Sequence, residues 1–479
     1  MKKHNEVISA IAYTVASIIS RGLSIITVPI FTRLMSPEQI GIVSLYNSWY
    51  ATISSIATLS LTSGGLTVAL NEYYNEKERY LSSILTLTSI VSVIFTILYF
   101  CFSSFLNQYT GLSTPLMFLI MAGLIVSPAT DFWLAKQRYE FKWKSSIIVS
   151  IGSALVASLT SIFAVKLAAD KGFENNLGTI RLFSNYMVLY AVAFIIWIGI
   201  MIKGKCFVNV KYWKFSLGLS IPLIGYSLAS NILGVSDRMM ISWFVDDSAV
   251  GIYSTLYSVS SLFIMVWSAV NASFVPYLYR NIEKNDSSIK ATTSKIFLVY
   301  SILAIVTVYL GPEVVRIIAT EEYLEGLYLM PAIAAGVFFT SLGNLYSNIL
   351  MYTKSSIFVM ISAVIAAIVN VITNFLFIPA FGYIAAAYTT FFSYLIMAGL
   401  LYLFACMQYK KIAGVSLSTV YNNKFLLGLS ICSIIAILLG NLLYSYTILR
   451  YIVVGALAFI LICGCLFYFY KRSRTGKNR

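Results

Sequence analysis

One arginine stands deep inside an apolar segment near the start of the chain. Arg21 lies in the run from residue 8 to residue 30, roughly 13 Å from the outer end of that run at the rise of an α-helix. A cation left in lipid costs on the order of 2.5–3.5 kcal/mol or more, so we expect Arg21 to face a wet, protein-lined cavity. There its guanidinium can donate two parallel hydrogen bonds to phosphate oxygens. The alternative is that Arg21 pairs with a carboxylate and only holds two helices together.

Three further charged residues stand where apolar segments are expected to reach the outer side. Asp237 and Arg238 lie at the end of the seventh segment, and Arg33 lies at the matching point of the first. Opposite charges at this level can form an outer gate whose ion pairs close the outward mouth. Anchoring at the membrane interface is the alternative for Arg33 and Arg238.

Four asparagines and one aspartate complete the candidate polar residues. Asn370 and Asn374 are spaced i, i+4, which places both amides on one helical face. They can hydrogen-bond sugars in a substrate cavity, or another helix. Asn231 and Asn271 are further cavity candidates. Asp131, near the inner end of the fourth segment, is a candidate cation or proton site, although a carboxylate at a cytoplasmic edge is usually just solvated.

Several kinds of chemistry are excluded by what the sequence lacks. It has no GxxxxGK[ST] phosphate loop, so it does not hydrolyse ATP by that route. His4 is the only histidine, which excludes histidine-based metal sites and catalytic triads. The six cysteines form no CxxC pair. No outer loop is long enough for a catalytic domain, so we expect no enzymatic activity, no metal and no cofactor, with coupling to H⁺ or Na⁺ left open.

Long apolar segments must position these residues. The chain of 479 residues is 59% hydrophobic and only 11% charged, whereas a soluble chain carries about 25% charged residues. The segments are apolar on all sides, which favours membrane-spanning helices over the alternating pattern of a barrel. We predict an all-α polytopic membrane protein with about 14 transmembrane helices. The predicted spans are 8–30, 40–63, 81–103, 114–134, 147–168, 183–202, 216–236, 249–273, 296–311, 329–352, 357–378, 384–406, 425–443 and 450–470.

The basic residues indicate the orientation. With the N-terminus inside, all but eight of the 33 Lys and Arg residues fall on the inner side. The eight exceptions are Arg21, Arg33, Lys166, Lys171, Arg181, Arg238, Arg316 and Arg450. This positive-inside asymmetry predicts an even number of crossings with both termini in the cytoplasm. It also accounts for the net charge of +15 without any nucleic-acid partner.

An internal repeat divides the spans into two sets. The stretch 33-RLMSPEQIGIVSLY-46 resembles 238-RMMISWFVDDSAVGIYSTLY-257, and both contain a polar turn followed by a Gly-Ile pair. Six spans per copy give a parallel repeat, which predicts two six-helix lobes around a central cavity. The expected lobes are residues 1–210 and 211–410, followed by two extra helices and a basic tail in residues 411–479. In the first turn, Ser36 is expected to cap a helix that begins at Pro37, and Gln39 can complete a capping box.

Three stretches carry a family resemblance over nearly the whole chain. The string 20-SRGLSIITVPIFTRLMSPEQIG-41 resembles the entry signature of Wzx-type lipid-linked oligosaccharide flippases. The stretches 231-NILGVSDRMMISWF-244 and 370-NVITNFLFIPAFGYIAAAYTT-390 resemble the central Asp-Arg motif and the Asn-x3-Asn-x4-Pro-x2-Gly motif of the same family. Its superfamily also contains the multidrug antiporters and the lipid II flippases. One mild departure is the pair Ala385-Ala386, where many relatives have Gly-Ala.

The resemblance implies transport of a lipid-linked oligosaccharide across the bacterial cytoplasmic membrane by alternating access. Undecaprenyl pyrophosphate is the implied carrier, and capsule, O-antigen or exopolysaccharide is the implied product. The polysaccharide polymerase and the chain-length regulator are the implied partners. The alternatives are a multidrug cation antiporter, a membrane polysaccharide polymerase and a purely structural membrane protein. Arg21 is the deepest charge and the acidic residues lie mostly in loops, which favours an anionic substrate over a cationic one.

Overall fold

The computed structural model describes residues 16, 22–23, 25–61, 65–282 and 288–476, and within these ranges the chain is helical with no strand. The eighteen helices are α1 Ile25–Leu34, α2 Pro37–Ala57, α3 Gly65–Glu72, α4 Lys77–Cys101, α5 Ser103–Thr110, α6 Thr114–Tyr139, α7 Trp143–Asp170, α8 Leu177–Gly204, α9 Val210–Phe244, α10 Asp247–Ser260, α11 Phe263–Asn281, α12 Ser288–Tyr309, α13 Gly311–Ile318, α14 Met330–Tyr352, α15 Ser356–Phe381, α16 Tyr383–Ala413, α17 Asn423–Leu443 and α18 Thr447–Gly476. The predicted all-helical fold is confirmed.

Nine helices of the described ranges are long and apolar enough to cross a bilayer. The number rises to eleven when two bent pairs each count as one span, one of them α10 with α11, which are bent by 43°. Two shorter apolar helices, Ile25–Leu34 and Thr447–Cys463, adjoin segments whose placement is not described in full. The count of fourteen therefore stays a prediction, while the assignment as a polytopic membrane protein stands.

At the start of α2 the structure has the predicted N-cap but not the predicted capping box. Ser36 caps the helix, because its Oγ accepts a hydrogen bond from the Gln39 N–H at 3.4 Å, and Pro37 occupies the first helical position. The side chain of Gln39 does not complete the capping box. Its Nε2 donates to the Asn175 carbonyl at 2.9 Å, and its Oε1 accepts from the Gly178 N–H at 2.7 Å. Gln39 thereby ties the start of α2 to the start of α8.

The chain forms two compact units. The first contains Met1–Ser254 together with Ala363–Ala386, and the second contains Thr255–Ser362 together with Ala387–Arg479. The first unit therefore includes α9, more than half of α10 and the C-terminal three-quarters of α15. The expected lobes 1–210 and 211–410 remain a prediction of the repeat.

Loops that are predicted to share the inner side meet at one end of the first unit. The Ser82 hydroxyl donates to the Cys206 carbonyl at 2.7 Å and accepts from the Cys206 N–H at 3.1 Å. The Tyr212 hydroxyl donates to the Glu76 carboxylate, and Lys136 pairs with Glu78. The segments after the second, fourth and sixth predicted spans thus lie together, as an alternating topology requires.

Glu140 lies among several lysines at this end of the first unit. Its carboxylate pairs with Lys77 at 3.2 Å and with Lys142 at 2.7 Å. Burial alone would raise the pKa of Glu140, but the hydrogen bonds from Lys142 and Lys77 and the nearby charge of Lys136 outweigh burial and lower it. The basic residues counted in the topology prediction are therefore partly neutralised within the protein.

The two glycines of the repeat touch each other in the first unit. Gly41 and Gly251 are each the fifth residue of their helices, α2 and α10. A Cβ on Gly41 would stand 1.7 Å from the Asp247 carbonyl oxygen, and a Cβ on Gly251 would stand 1.9 Å from the Pro37 carbonyl oxygen. Both distances lie far inside van der Waals contact, so only glycine fits at either position. Each glycine therefore meets the carbonyl of the first residue of the other helix, and the internal repeat stays a prediction.

The second unit is built around α14, which is buried along most of its length. Between the predicted spans 296–311 and 329–352 lie the short helix α13 and a 3₁₀ helix over Glu321–Leu329. In α13 the side chains of Val315 and Ile318 are buried, whereas those of Arg316 and Ile317 are exposed. That amphipathic pattern is typical of a helix lying at an interface.

Candidate functional site

A fully buried carboxylate lies in the first unit, on α9. Asp237 Oδ2 accepts a hydrogen bond from the Tyr253 hydroxyl at 2.6 Å, and Asp237 Oδ1 accepts one from the Asn374 amide at 2.8 Å. All three side chains are essentially inaccessible to solvent. A buried charge is tolerated only where donors replace the lost water. These donors come from α10 and α15, so the carboxylate holds three helices together.

The second predicted asparagine extends the network. Asn370 Oδ1 accepts from the Ser236 hydroxyl at 2.8 Å and from the Asn374 amide at 3.2 Å. Asn370 and Asn374 lie on one face of α15, as their spacing predicts, and Ser236 is the residue before Asp237. The structure therefore brings together three of the predicted site residues. Tyr253 and Ser236 were not among the predicted site residues, although each lies within a motif quoted for the repeat or the resemblance.

The turn after α15 explains the glycine of its motif. Gly382 has φ +70°, a left-handed conformation that side chains strain to adopt. Its N–H bonds back to the Ile378 carbonyl at 2.8 Å, which ends the helix as an αL cap does. The next helix, α16, starts at once at Tyr383. In this motif the asparagines make the polar network and the glycine makes the turn.

The two gate arginines lie in different settings. Arg238 is half-buried, donates to the Gly234 carbonyl at 2.7 Å and lies 5.7 Å from the centre of the Tyr253 ring. Arg33 is exposed and donates to the Pro29 carbonyl at 3.0 Å. Arg33 precedes Gly41 by eight residues, whereas Arg238 precedes Gly251 by thirteen. Measured from the glycine contact, the two arginines therefore stand at different levels of the repeat.

The remaining asparagines lie apart from the buried network. Asn271 belongs to the second unit, where its Oδ1 accepts from the Asn348 amide at 2.8 Å and joins α11 to α14. This contact favours helix packing for Asn271. Asn231 is half-buried on α9, six residues before Asp237. Asn348 is a partner that the sequence did not single out.

Two candidate charges complete the set. Asp131 is exposed on α6, within a span. Arg21 lies outside the described residues, so its cavity role stays a prediction. Within the described ranges, no group of three or more His, Cys, Asp and Glu side chains is close enough together to hold a metal ion.

Comparison with known sequences places these features in a family context. The sequence profile described as "Polysaccharide biosynthesis protein" matches residues 7–282. The chain is similar to the probable low-salt glycan biosynthesis flippase Agl15 of Haloferax volcanii. The two are 22% identical over 401 residues, which cover 81% of this chain and 80% of Agl15.

Two kinds of solved transporter share the fold. The chain superposes on the lipid II flippase MurJ in an inward closed conformation with a TM-score of 0.66 and 18% identity, covering 95% of this chain and 100% of that one. It also matches an inward-facing multidrug resistance transporter of the MATE family, with a TM-score of 0.62 and 12% identity. That match covers 83% of this chain and 96% of the transporter. The fold is thus one that flippases and multidrug transporters have in common.

Proposed function

This chain belongs to the polysaccharide biosynthesis protein family, and on that premise we propose that it is a flippase for lipid-linked oligosaccharides. The family match over residues 7–282 is the observation that carries the proposal. The similarity to a probable glycan biosynthesis flippase and the fold shared with a lipid II flippase support it. The proposed substrate is an undecaprenyl-pyrophosphate-linked repeat unit, moved from the inner to the outer leaflet of the bacterial cytoplasmic membrane.

In the proposed mechanism Arg21 binds the pyrophosphate. Its guanidinium can engage two phosphate oxygens at once, and its depth in the first predicted span keeps it away from headgroups. The sugars occupy the same cavity, and the long isoprenoid tail stays in lipid. The delivered repeat units then pass to a polysaccharide polymerase and a chain-length regulator, as in capsule, O-antigen or exopolysaccharide synthesis.

The outer gate is the second part of the proposal. We assign it to Arg33, Asp237 and Arg238 and to the elements they brace. The bonds from Tyr253 and Asn374 to Asp237 fix α9, α10 and α15 as one body. The contact between Gly41 and Gly251 joins α2 to that body. A change of access that separates these helices must break both contacts.

A multidrug cation antiporter is the second candidate, and one observation favours it. Asp131 offers an exposed carboxylate within a span, which a cationic substrate would require. The two candidates predict different phenotypes, because a flippase defect stops polymer export and an antiporter defect sensitises cells to cations.

The decisive experiment is deletion of the gene followed by complementation. Deletion should abolish surface polysaccharide and accumulate lipid-linked repeat units that face the cytoplasm. Arg21→Ala should fail to complement. Arg21→Lys should complement in part, because lysine keeps the positive charge but cannot donate the two parallel hydrogen bonds of a guanidinium. Lys166→Ala, at an exposed position of α7, is the control and should complement fully. Normal polymer in the deletion strain, together with new sensitivity to cationic dyes, would favour the antiporter instead.

A further inference from the structure

Four tyrosines form a compact cluster in the first unit. Tyr46 and Tyr50 are one turn apart on α2, and Tyr186 and Tyr190 are one turn apart on α8. The Tyr186 ring lies 5.2 Å from the Tyr46 ring, 5.8 Å from the Tyr50 ring and 5.4 Å from the Tyr190 ring, measured between centroids. The hydroxyls of Tyr46 and Tyr190 are 3.4 Å apart. These rings stand within the two helices rather than at their ends.

A third helix supplies the floor of the cluster. A Cβ on Gly123 of α6 would stand 2.2 Å from the Tyr190 hydroxyl and 2.8 Å from the Tyr50 ring, so a glycine is needed there for both rings to fit. Ser127 and Asp131 follow Gly123 at steps of four residues and therefore share its helical face. Asp131 acts electrostatically on the Tyr50 hydroxyl. Asp131 thus lies on the same face of α6 as Gly123, which contacts Tyr50 and Tyr190.

Accessibility increases outward from this floor. Tyr46 and Tyr190 are buried, Tyr50 and Tyr186 are half-buried, and Asn47 and Asp131 are exposed. The Tyr186 hydroxyl donates to Asn47 Oδ1 at 2.7 Å, which leaves the Asn47 amide N–H groups directed elsewhere. We refer to Tyr46, Tyr50, Tyr186 and Tyr190 with Asn47 and Asp131 as the tyrosine wall.

The exposed side of the wall faces water rather than lipid. Asp131 stands eight residues before the end of α6 at Tyr139, which is about 12 Å along the helix. An ionisable group at such a depth faces a water-filled cavity or the protein interior, and Asp131 is exposed. Arg181, which is not part of the wall, acts electrostatically on Tyr186, so charges of both signs lie beside the rings. A surface with balanced charge suits a neutral polar ligand better than a cation.

We propose that the tyrosine wall binds the glycan of the lipid-linked substrate, an inference that rests on the proposed flippase function. The half-exposed rings of Tyr50 and Tyr186 offer flat apolar faces for the C–H faces of sugar rings. Asn47, Asp131 and the tyrosine hydroxyls offer both donors and acceptors for sugar hydroxyls. Apolar surface with a few placed polar groups is the usual composition of a small-molecule site. The wall adds sugar recognition to the pyrophosphate contact assigned to Arg21.

Two conservative substitutions test the wall without removing its bulk. Tyr186→Phe keeps the ring and loses the hydroxyl that donates to Asn47. Asp131→Asn keeps the shape and loses the carboxylate. Tyr99→Phe is the matched control, because Tyr99 is buried in the same unit and likewise donates to an asparagine, Asn107 Oδ1, at 3.2 Å. Tyr99 is not part of the wall.

Binding should be measured with the purified full-length protein in nanodiscs of phosphatidylcholine and phosphatidylglycerol. One probe is the lipid-linked glycan extracted from the deletion strain, and the other is undecaprenyl pyrophosphate without sugar. Wild type should bind the glycan-bearing lipid more tightly than the bare lipid. Tyr186→Phe and Asp131→Asn should each weaken binding of the glycan-bearing lipid about three- to ten-fold, as expected for one lost hydrogen bond. Their binding of the bare lipid should not change, and Tyr99→Phe should change neither.

The other outcomes separate the possible failures. Equal weakening for both lipids would show that the wall does not read the sugar. Unchanged binding of both lipids in both variants would also overturn the assignment while leaving the flippase function intact. Wild type that binds neither lipid, yet binds tetraphenylphosphonium through Asp131, would reject the proposed function as well.

Discussion

Arg450 and Glu313 form a bidentate ion pair inside the second unit. Arg450 Nη1 and Nη2 donate to the two carboxylate oxygens of Glu313 at 2.8 and 2.7 Å, and Nη1 also donates to the Tyr309 carbonyl at 2.9 Å. Arg450 is 2% exposed, although it lies in the first turn of the last helix, α18. The pair fastens α18 to the short amphipathic helix α13.

Loss of this pair should destabilise the protein strongly. Arg450→Ala removes the cation from the partly exposed Glu313 carboxylate, which keeps the hydrogen bond from the Tyr451 hydroxyl at 2.8 Å, so we expect a cost of about 1–3 kcal/mol. The loss of stability in Arg450→Lys should be intermediate, because an ammonium cannot donate the two parallel hydrogen bonds of the guanidinium. Arg316→Ala, an exposed position on the same short helix, is the control and should be near neutral. Thermal unfolding in detergent measures the difference, and equal melting of Arg450→Ala and Arg316→Ala would contradict it.

Alanine in place of Gly41 or of Gly251 should destabilise the protein to a similar degree. Gly41→Ala and Gly251→Ala each drive a Cβ into the backbone carbonyl of the other helix. Overpacking of this kind typically costs about 1–3 kcal/mol. Gly199→Ala is the matched control, since a Cβ there meets nothing within 4 Å and alanine favours a helix. Stability and polymer export should fall in the first two variants only, and a tolerated Gly41→Ala would rule out close contact during the cycle.

The stability that a buried tyrosine hydroxyl contributes should depend on which group accepts its hydrogen bond. Tyr253→Phe deprives the Asp237 carboxylate of a donor, for which about 1–3 kcal/mol is expected. Tyr421→Phe is the control, because Tyr421 is equally buried but donates to the neutral carbonyl of Leu345. Its expected cost is only about 0.5–1.5 kcal/mol. The comparison needs unfolding curves of both variants, and a larger loss in Tyr421→Phe would contradict the expected order.

Acid should weaken the end of the first unit that carries Glu140. The folded-state pKa of Glu140 lies below its ordinary value of 4.5. Its stabilising contribution is therefore complete above pH 4.5 and is lost as the pH falls through the lower, folded-state pKa. Glu140→Gln should melt lower at pH 7 and show a shallower decline below pH 4.5. Glu174→Gln, at an exposed position, should follow wild type.

The predicted orientation can be read from single cysteines. Ser113 and Lys171 are exposed, and the topology places both outside, whereas the exposed Lys142 is placed inside. Cysteines at 113 and 171 should react with an impermeant maleimide in intact cells, and cysteine at 142 should react only after lysis. Lys477, outside the described residues, reports the tail and should behave like Lys142. Labelling of 142 or 477 from outside would overturn the topology.

The sequence predicts local features of this fold well and long-range contacts poorly. Ser36 as a cap and the shared face of Asn370 and Asn374 follow from spacing within one turn. The meeting of Asn374 with Asp237 does not, because nothing in either helix specifies a partner so far along the chain. The meeting of the tyrosines of α2 and α8 does not follow either, since composition alone does not tell a ring at the end of a helix from one inside it. Their spacing of four residues was the available signal.

The distance between Asp237 and Asn374 along the chain has a consequence for biogenesis. The two residues are 137 positions apart, so a ribosome working at 5–20 residues per second delivers the amide about 7 to 30 s after the carboxylate. During that interval α9 is already made and its acidic residue lacks this donor. The first unit is thus completed only after about half of the second has been translated. Nascent chains that stall before α15 therefore lack the hydrogen bond by which Asn374 joins that helix to Asp237 on α9.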